Sequence, residues 1–235
     1  MFAIVGLAMA TTLSLSLLTA CDDDDDDDDL TETIDDDDDT TDDSNSKITG
    51  IINGYEYVDL GLSVKWATVN IGATLPADYG KHYAWGETTT KDSYYGYDSV
   101  TYGDSSIGNI SGDATYDAAT ANWGSSWRMP TSSEFRELLA DCTWTWTTQE
   151  NSYGMEINGY LVEGTNGNSI FLPAAGYRRW TSRQGTGTSG RYWSSSPNST
   201  ERCFYACGLY SDSDRHNMDN YIYRYYGMSV RPVSE

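Results

Sequence analysis

Apolar and polar positions divide the chain into three stretches. Phe2 to Ala20 is a Leu/Ala-rich apolar run, Cys21 to about Gly50 is almost wholly polar, and from Ile51 to Val233 short apolar groups alternate with polar ones. In the third stretch Tyr57, Leu60, Leu62, Val64 and Trp66 alternate or nearly alternate around Gly61, which predicts a strand pair. Pro76 to Gly112, rich in Gly, Tyr, Ser and Asp with little regular period, is expected to be long surface loop with short strand fragments. Two helices follow. Asp113 to Asn122 is Ala-rich with Asp near its start and stops at Trp123-Gly124. Thr131 to Glu134 is a capping box after Pro130, and Phe135, Leu138, Leu139 and Cys142 then share one helical face.

Beyond the helices the period returns to two. Trp144 and Trp146 fall on one side of a Thr-rich strand, and Tyr160–Val162 with Ile170–Leu172 reads as a hairpin turning through Asn166-Gly167. A loop over 181–190 leads to the strand-like YWSSS from Tyr192, and MSVRPV from Met228 is the last strand-like segment. Short antiparallel strands, two helices near the middle and long loops define an α+β domain rather than a wound parallel sheet. In the segment between, strand alternation predicts Phe204 and Ala206 inward with Cys203, Tyr205 and Cys207 outward, and Tyr221, Tyr223 and Tyr225 on one face.

Charge separates the polar stretch from the domain. Of 36 Asp and Glu, 16 precede Ser44, whereas all 14 Lys and Arg follow it, so a net charge of −22 falls to −6 for the remainder. The extreme acidity belongs to a tail. No basic face remains for nucleic acid, and phosphate backbones would be repelled. Residues 1–20, ending in Leu18-Thr19-Ala20 before Cys21, are too short for a comfortable membrane span and resemble a bacterial lipoprotein signal. That resemblance makes Cys21 the lipidated first residue of the mature protein, anchored in a membrane. The tract 21–50 repels itself and is expected to be an extended tether. Acidic residues directly after the lipidated Cys resemble the export signal of Bacteroidota lipoproteins, which implies the outer membrane and surface exposure. Asp39-Thr40-Thr41 resembles that phylum's short O-glycosylation site.

Little in the domain points to catalysis. Gly185 to Gly190 matches G-x-G-x-x-G by letter, but no helix follows to receive a pyrophosphate. Asp212, Asp214, His216 and Asn217 open like a calcium loop, yet Asn217 and Tyr223 stand where an EF-hand needs Gly and Glu. His82 and His216 have no nucleophile elbow or zinc-binding helix beside them. Cys203 and Cys207 are the one enzyme-like pair, with a surface disulfide or two incidental thiols as the plain alternatives. Trp123, Trp127, Trp144 and Trp180 offer either a sugar platform or core packing. No catalytic residue, metal site or cofactor is assigned from the sequence.

The blocks YVDLGLSVKWATVNIGA, YAWGETTTK, WGSSWRMPTSSEFRELL, CTWTW, GNSIFLPAAGYR, YWSSS and YYGMSVRPV resemble, in that order, landmarks of the Fibrobacter succinogenes major paralogous domain of Bacteroidota lipoproteins. The resemblance spans 51–235. It implies a body similar to the C-type lectin and formylglycine-generating-enzyme folds, with a variable C-terminal face. It also implies a remote alternative, a copper-dependent oxidase using Cys203 and Cys207. Cys203 to Tyr226 further resembles the segment that retroelement-diversified binding proteins vary by adenine-directed substitution.

Tyr, Asn, Asp, Ser, Arg and His make up this segment, which suits a contact surface: rigid rings supply area and small polar groups supply adaptable hydrogen bonds. The candidate ligand-binding residues are Asn198, Tyr205, Tyr210, Asp212, Asp214, His216, Asn217, Asn220, Tyr221 and Tyr223. The expected function is a surface-anchored adhesin-like or receptor-like lipoprotein binding a protein or glycan. The competing expectation is a structural cell-envelope protein with no specific ligand.

Overall fold

The computed structural model describes residues 48–235. The apolar run, Cys21, Asp39 and the acidic tract up to residue 47 lie outside the described residues; Thr49 and Gly50, expected in the tether, belong to the domain, Gly50 opening a strand and Thr49 N–H donating to Tyr57 O. Strands β1 (Gly50–Ile52) and β2 (Tyr55–Val58) form a hairpin across Asn53-Gly54, both at positive φ. Asn and Gly adopt that conformation at low steric cost, and the resulting tight turn matches strand twist. The expected pair around Gly61 is present as β2 and β3 (Lys65–Ala67). The final strand β12 (Val233–Ser234) then pairs with β3, so both ends of the domain share one four-stranded sheet.

Helix α1 runs Ala118–Trp123, shorter than the helix expected from Asp113 to Asn122. Asp117, not Asp113, is its cap, accepting from the amides of Ala119 and Thr120. Asp113 forms a preceding turn with Thr115. Helix α2 runs Ser132–Asp141 behind the predicted capping box, with Phe135 and Leu138 buried and Leu139 and Cys142 packed at the margin.

The segment 76–112 is irregular, as expected, and part of it lies on the surface, with Tyr97, Val100 and residues 103–106 exposed, while another part enters the core. Tyr83, Trp85, Tyr94, Ile107 and Ile110 are buried in it. A loop can enter a core only if its backbone finds distant partners. Here Tyr83 N–H donates to Met228 O at 2.9 Å, Trp85 N–H to Arg224 O at 2.8 Å, and Tyr94 N–H to Trp180 O at 2.8 Å. Buried Arg224 completes the attachment, donating to Thr101 O and Asp104 O and lying 4.1 Å from the Trp85 ring centroid.

Three antiparallel strands follow in the order β4 (Thr143–Glu150), β5 (Glu156–Glu163) and β6 (Ser169–Pro173); the expected hairpin is β5 with β6, in a register that sets Tyr160 opposite Leu172 and Val162 opposite Ile170. A small hairpin, β7 (Tyr177–Arg179) with β8 (Ser182–Gln184), occupies part of the expected 181–190 loop. Gly185 and Gly187, at φ 67° and 77°, turn the chain into β9 (Ser189–Pro197), so the glycine pattern is a strand-to-strand turn.

The last sheet, in the order β11 (His216–Tyr223), β10 (Tyr205–Asp212), β9, is covered on both faces. Trp193, Ala206 and Ile222 pack with Tyr83, Trp85 and Met228, whereas Tyr192 and Leu209 pack with Phe135, Leu138 and Tyr160. Arg231, in the MSVRPV segment, locks the elements together. Fully buried, it donates to Asn70 Oδ1, to the carbonyls of Ala67 and Thr68, and to Phe171 O. The described residues form a mostly antiparallel assembly with two α-helices.

Candidate ligand-binding face

β10 and β11 carry most of the polar residues singled out in the sequence, and the sheet divides them into distinct environments. Tyr205 and Tyr223 are directly opposite across β10 and β11, with ring centroids 4.7 Å apart. Tyr221 lies 5.8 Å from Tyr205, and Tyr225 stacks on Tyr223 at 5.2 Å. The predicted grouping of Tyr221, Tyr223 and Tyr225 is therefore present. A shift in the β10–β11 register between Ala206 and Gly208 sets Asn220 and Tyr221 opposite Cys207 alone. Such a bulge re-aims side chains, and Tyr221 stands 59% exposed.

The patch is wider than the sequence segment. Tyr102, from the irregular segment, meets Phe204 at 5.2 Å and Tyr225 at 5.0 Å. Tyr226 extends the row to Tyr177, and Arg179 lies over both Tyr226 and the exposed Trp180. Distance along the chain hid Tyr102, Tyr177 and Arg179, whereas Trp180 is a sugar-platform candidate from the sequence; the aromatic content of their own segments was the available signal. The phenol pKa of Tyr205 is raised to about 12, foremost by the neighbouring Tyr223 hydroxyl.

At the other end of the sheet Tyr210 lies against two guanidiniums, Arg191 at 4.7 Å and Arg215 at 4.9 Å from its ring centroid. Its hydroxyl donates to Asp212, whose other carboxylate oxygen accepts from the amides of Asp214 and Arg215 and so shapes the β10–β11 turn. These bonds, the Tyr210 contact foremost, hold the Asp212 carboxyl below its ordinary pKa. Asp214 and Asn217 are exposed beside this turn. A cleft of about 390 Å³ is lined by Arg191, Tyr210, Arg215, Asn217, Met218, Asp219, Asn220 and Tyr221. A second, of about 280 Å³, shares Asn220 and Tyr221 and continues to Arg136, Ser132 and Ser199. Tyr221 is thus a ridge between two concavities. Arg191, Arg215 and Asp219 were missed as lining residues, although all three lie within the polar segment.

No family model, curated protein or solved structure matches this chain. The site is accordingly read from its own geometry. Three sequence expectations are corrected by it. Asn198 lines the second cleft but is 2% exposed, donating to Asn220 O while its oxygen accepts from Thr200 and Glu201, so its polar atoms are engaged in bracing the framework. His216 lies on the face toward the core, stacked on Trp144 at 4.6 Å with Tyr160 at its edge, and burial lowers its pKa. The predicted orientations around Tyr205 fail at two positions. Phe204 precedes β10 and is 41% exposed, while Cys207 is buried because the sheet is covered on both faces.

The remaining chemistry is quiet. Cys142, Cys203 and Cys207 are free thiols, Cys207 bonding to Pro197 O with its pKa raised by burial. Among the described residues no three His, Cys, Asp or Glu side chains converge as a metal-binding group. Trp123 and Trp127 are core residues and Trp144 supports His216, leaving Trp180 as the exposed member of the four.

Proposed function

We propose that this chain is a surface-anchored, non-enzymatic binding lipoprotein of the Fibrobacter succinogenes major paralogous type, with a C-type-lectin-like body and a contact face at its C-terminal sheet. Lipid on Cys21 and the acidic tract hold the body away from the outer membrane. The observation that carries this reading is the Tyr205–Tyr221–Tyr223 cluster, set on a sheet packed from both sides and flanked by two clefts. Rings held this way lose little entropy on contact, and Asn217, Asn220 and Asp214 supply adaptable hydrogen bonds. Tyr210, with Arg191 and Arg215, extends the face.

The ligand is a protein or glycan met outside the cell. The resemblance to retroelement-diversified proteins adds that this face varies between strains. Sequencing the locus in sibling strains tests it: substitutions concentrated between Arg191 and Tyr226 at adenine-bearing codons support display, whereas evenly scattered changes favour a structural envelope protein.

A further inference from the structure

A second site lies on the β7–β8 hairpin, where strand alternation points Arg178 to the face opposite Tyr177 and Arg179. β7 and β8 pair with Arg178 directly opposite Arg183. Like charges in direct cross-strand register destabilise a hairpin. Neither guanidinium has a carboxylate within ion-pair distance among the described residues, and Lys81, which approaches the same hairpin, has none either. The three cations share a pocket of about 160 Å³ with His82, Thr90 and Tyr94, and no acidic residue lines it. The Nε of Arg178 is buried without a hydrogen-bond partner.

The pocket opens at the surface, where Lys81, Thr90 and Arg183 are exposed, and its floor at His82 and Tyr94 is anchored in the core. Tyr94 OH donates to His82 O at 2.7 Å, and His82, 3% exposed, donates from Nε2 to Ala175 O at 3.3 Å. The stem of Lys81 lies against Gly72, where a Cβ would come within 2.7 Å of its Cγ. Arg178 N–H and O exchange hydrogen bonds with Gly227, at 2.6 and 2.9 Å. Local concentration supports the same chemistry: from Ala174 to Pro232 the chain has eight Arg and four Asp or Glu, against the acidic balance elsewhere. His82 feels the field too, its pKa falling to about 4 through burial, then Arg183 and Arg178.

We infer that Lys81, Arg178 and Arg183 form a binding pocket for a tetrahedral oxyanion, sulfate or phosphate, free or esterified to a saccharide. A doubly charged oxyanion satisfies guanidinium donors in pairs and removes the repulsion across the hairpin. Thr90 and Tyr94 line the pocket beside the cations. The inference goes beyond the tyrosine face and does not depend on it.

The test is calorimetric titration of the full chain with sodium sulfate and with sodium phosphate, against sodium chloride at matched ionic strength. Saturable binding is expected for the oxyanions and not for chloride, weakened about tenfold or more in Arg178→Gln, the scale of one charge-assisted hydrogen bond. Arg183→Glu, at an exposed position, serves as the second variant. It replaces the like-charged pair by an opposite one, so it should abolish oxyanion binding while raising the thermal midpoint without ligand. Tyr205/Tyr221/Tyr223→Ala should bind oxyanion as wild type does, which separates this site from the proposed contact face. Glucosamine 6-sulfate binding without glucosamine binding would identify an esterified source, and binding of the inorganic ions alone a free one. Absence of saturable sulfate or phosphate binding, or binding undiminished in both Arg178→Gln and Arg183→Glu, would overturn the inference.

Discussion

His82 is held neutral by burial and by the positive field of Arg183 and Arg178, which lower its pKa from 6.5 to about 4. Between these two values the unfolded chain takes up a proton that the folded chain refuses, so this contribution to stability is complete above pH 6.5 and lost as pH falls toward 4. The linkage amounts to about 3 kcal/mol. Urea unfolding at pH 7 and pH 4.5 measures it, and His82→Gln should remove much of the difference. A pH slope unchanged by that substitution would mean that His82 is not its source. Arg231 provides a second residue-scale prediction. Its guanidinium bonds four acceptors in full burial, a fork that an ammonium cannot reproduce. Arg231→Lys should therefore cost more than about 2 kcal/mol in urea unfolding, although charge is retained.

At the scale of elements, α2 is the clearest case of sequence determining structure. Thr131 and Glu134 reciprocally satisfy backbone amides, and Glu134 also pairs with Arg128. Thr131→Ala should lower stability by about 1 kcal/mol, read from the denaturant midpoint. The hairpin of β5 and β6 was legible for a similar reason: a two-residue period and Asn166-Gly167 act locally. The irregular character of segment 76–112 was legible, but the burial of Tyr83, Trp85 and Tyr94 within it was not. That burial depends on bonds to Met228, Arg224 and Trp180, more than 80 residues away, and nothing in the segment's composition announces them. The orientations near Tyr205 were hidden by two things alternation alone does not reveal: a second layer over the sheet, and a bulge that puts Asn220 and Tyr221 opposite one residue. Of the candidate face, Tyr205, Tyr221 and Tyr223 were readable from period two, whereas Tyr102 and Arg179 became neighbours only through the fold.

At the scale of the molecule, the acidic tail and the arginine-bearing C-terminal half divide the charge of the chain unequally. The folded part opposes its own acidic residues with Arg rather than Lys beyond Ala174. Arginine stacked on tyrosine, as at Arg191 and Arg215 against Tyr210, keeps a charged edge available while its plane is packed. A contact face built this way should concentrate its energy in a few residues, and exposed Tyr221 between the clefts, with half-buried Tyr205 and Tyr223 beside it, is the natural centre. The most direct measurement compares binding of the labelled full chain and its Tyr205/Tyr221/Tyr223→Ala variant to a glycan array and a panel of extracellular proteins, with thermal midpoints recorded in parallel. The account predicts a ligand bound by the wild type and weakened at least about tenfold in the variant, with the folded state retained. A ligand bound equally well by both would place the contact face elsewhere and contradict it.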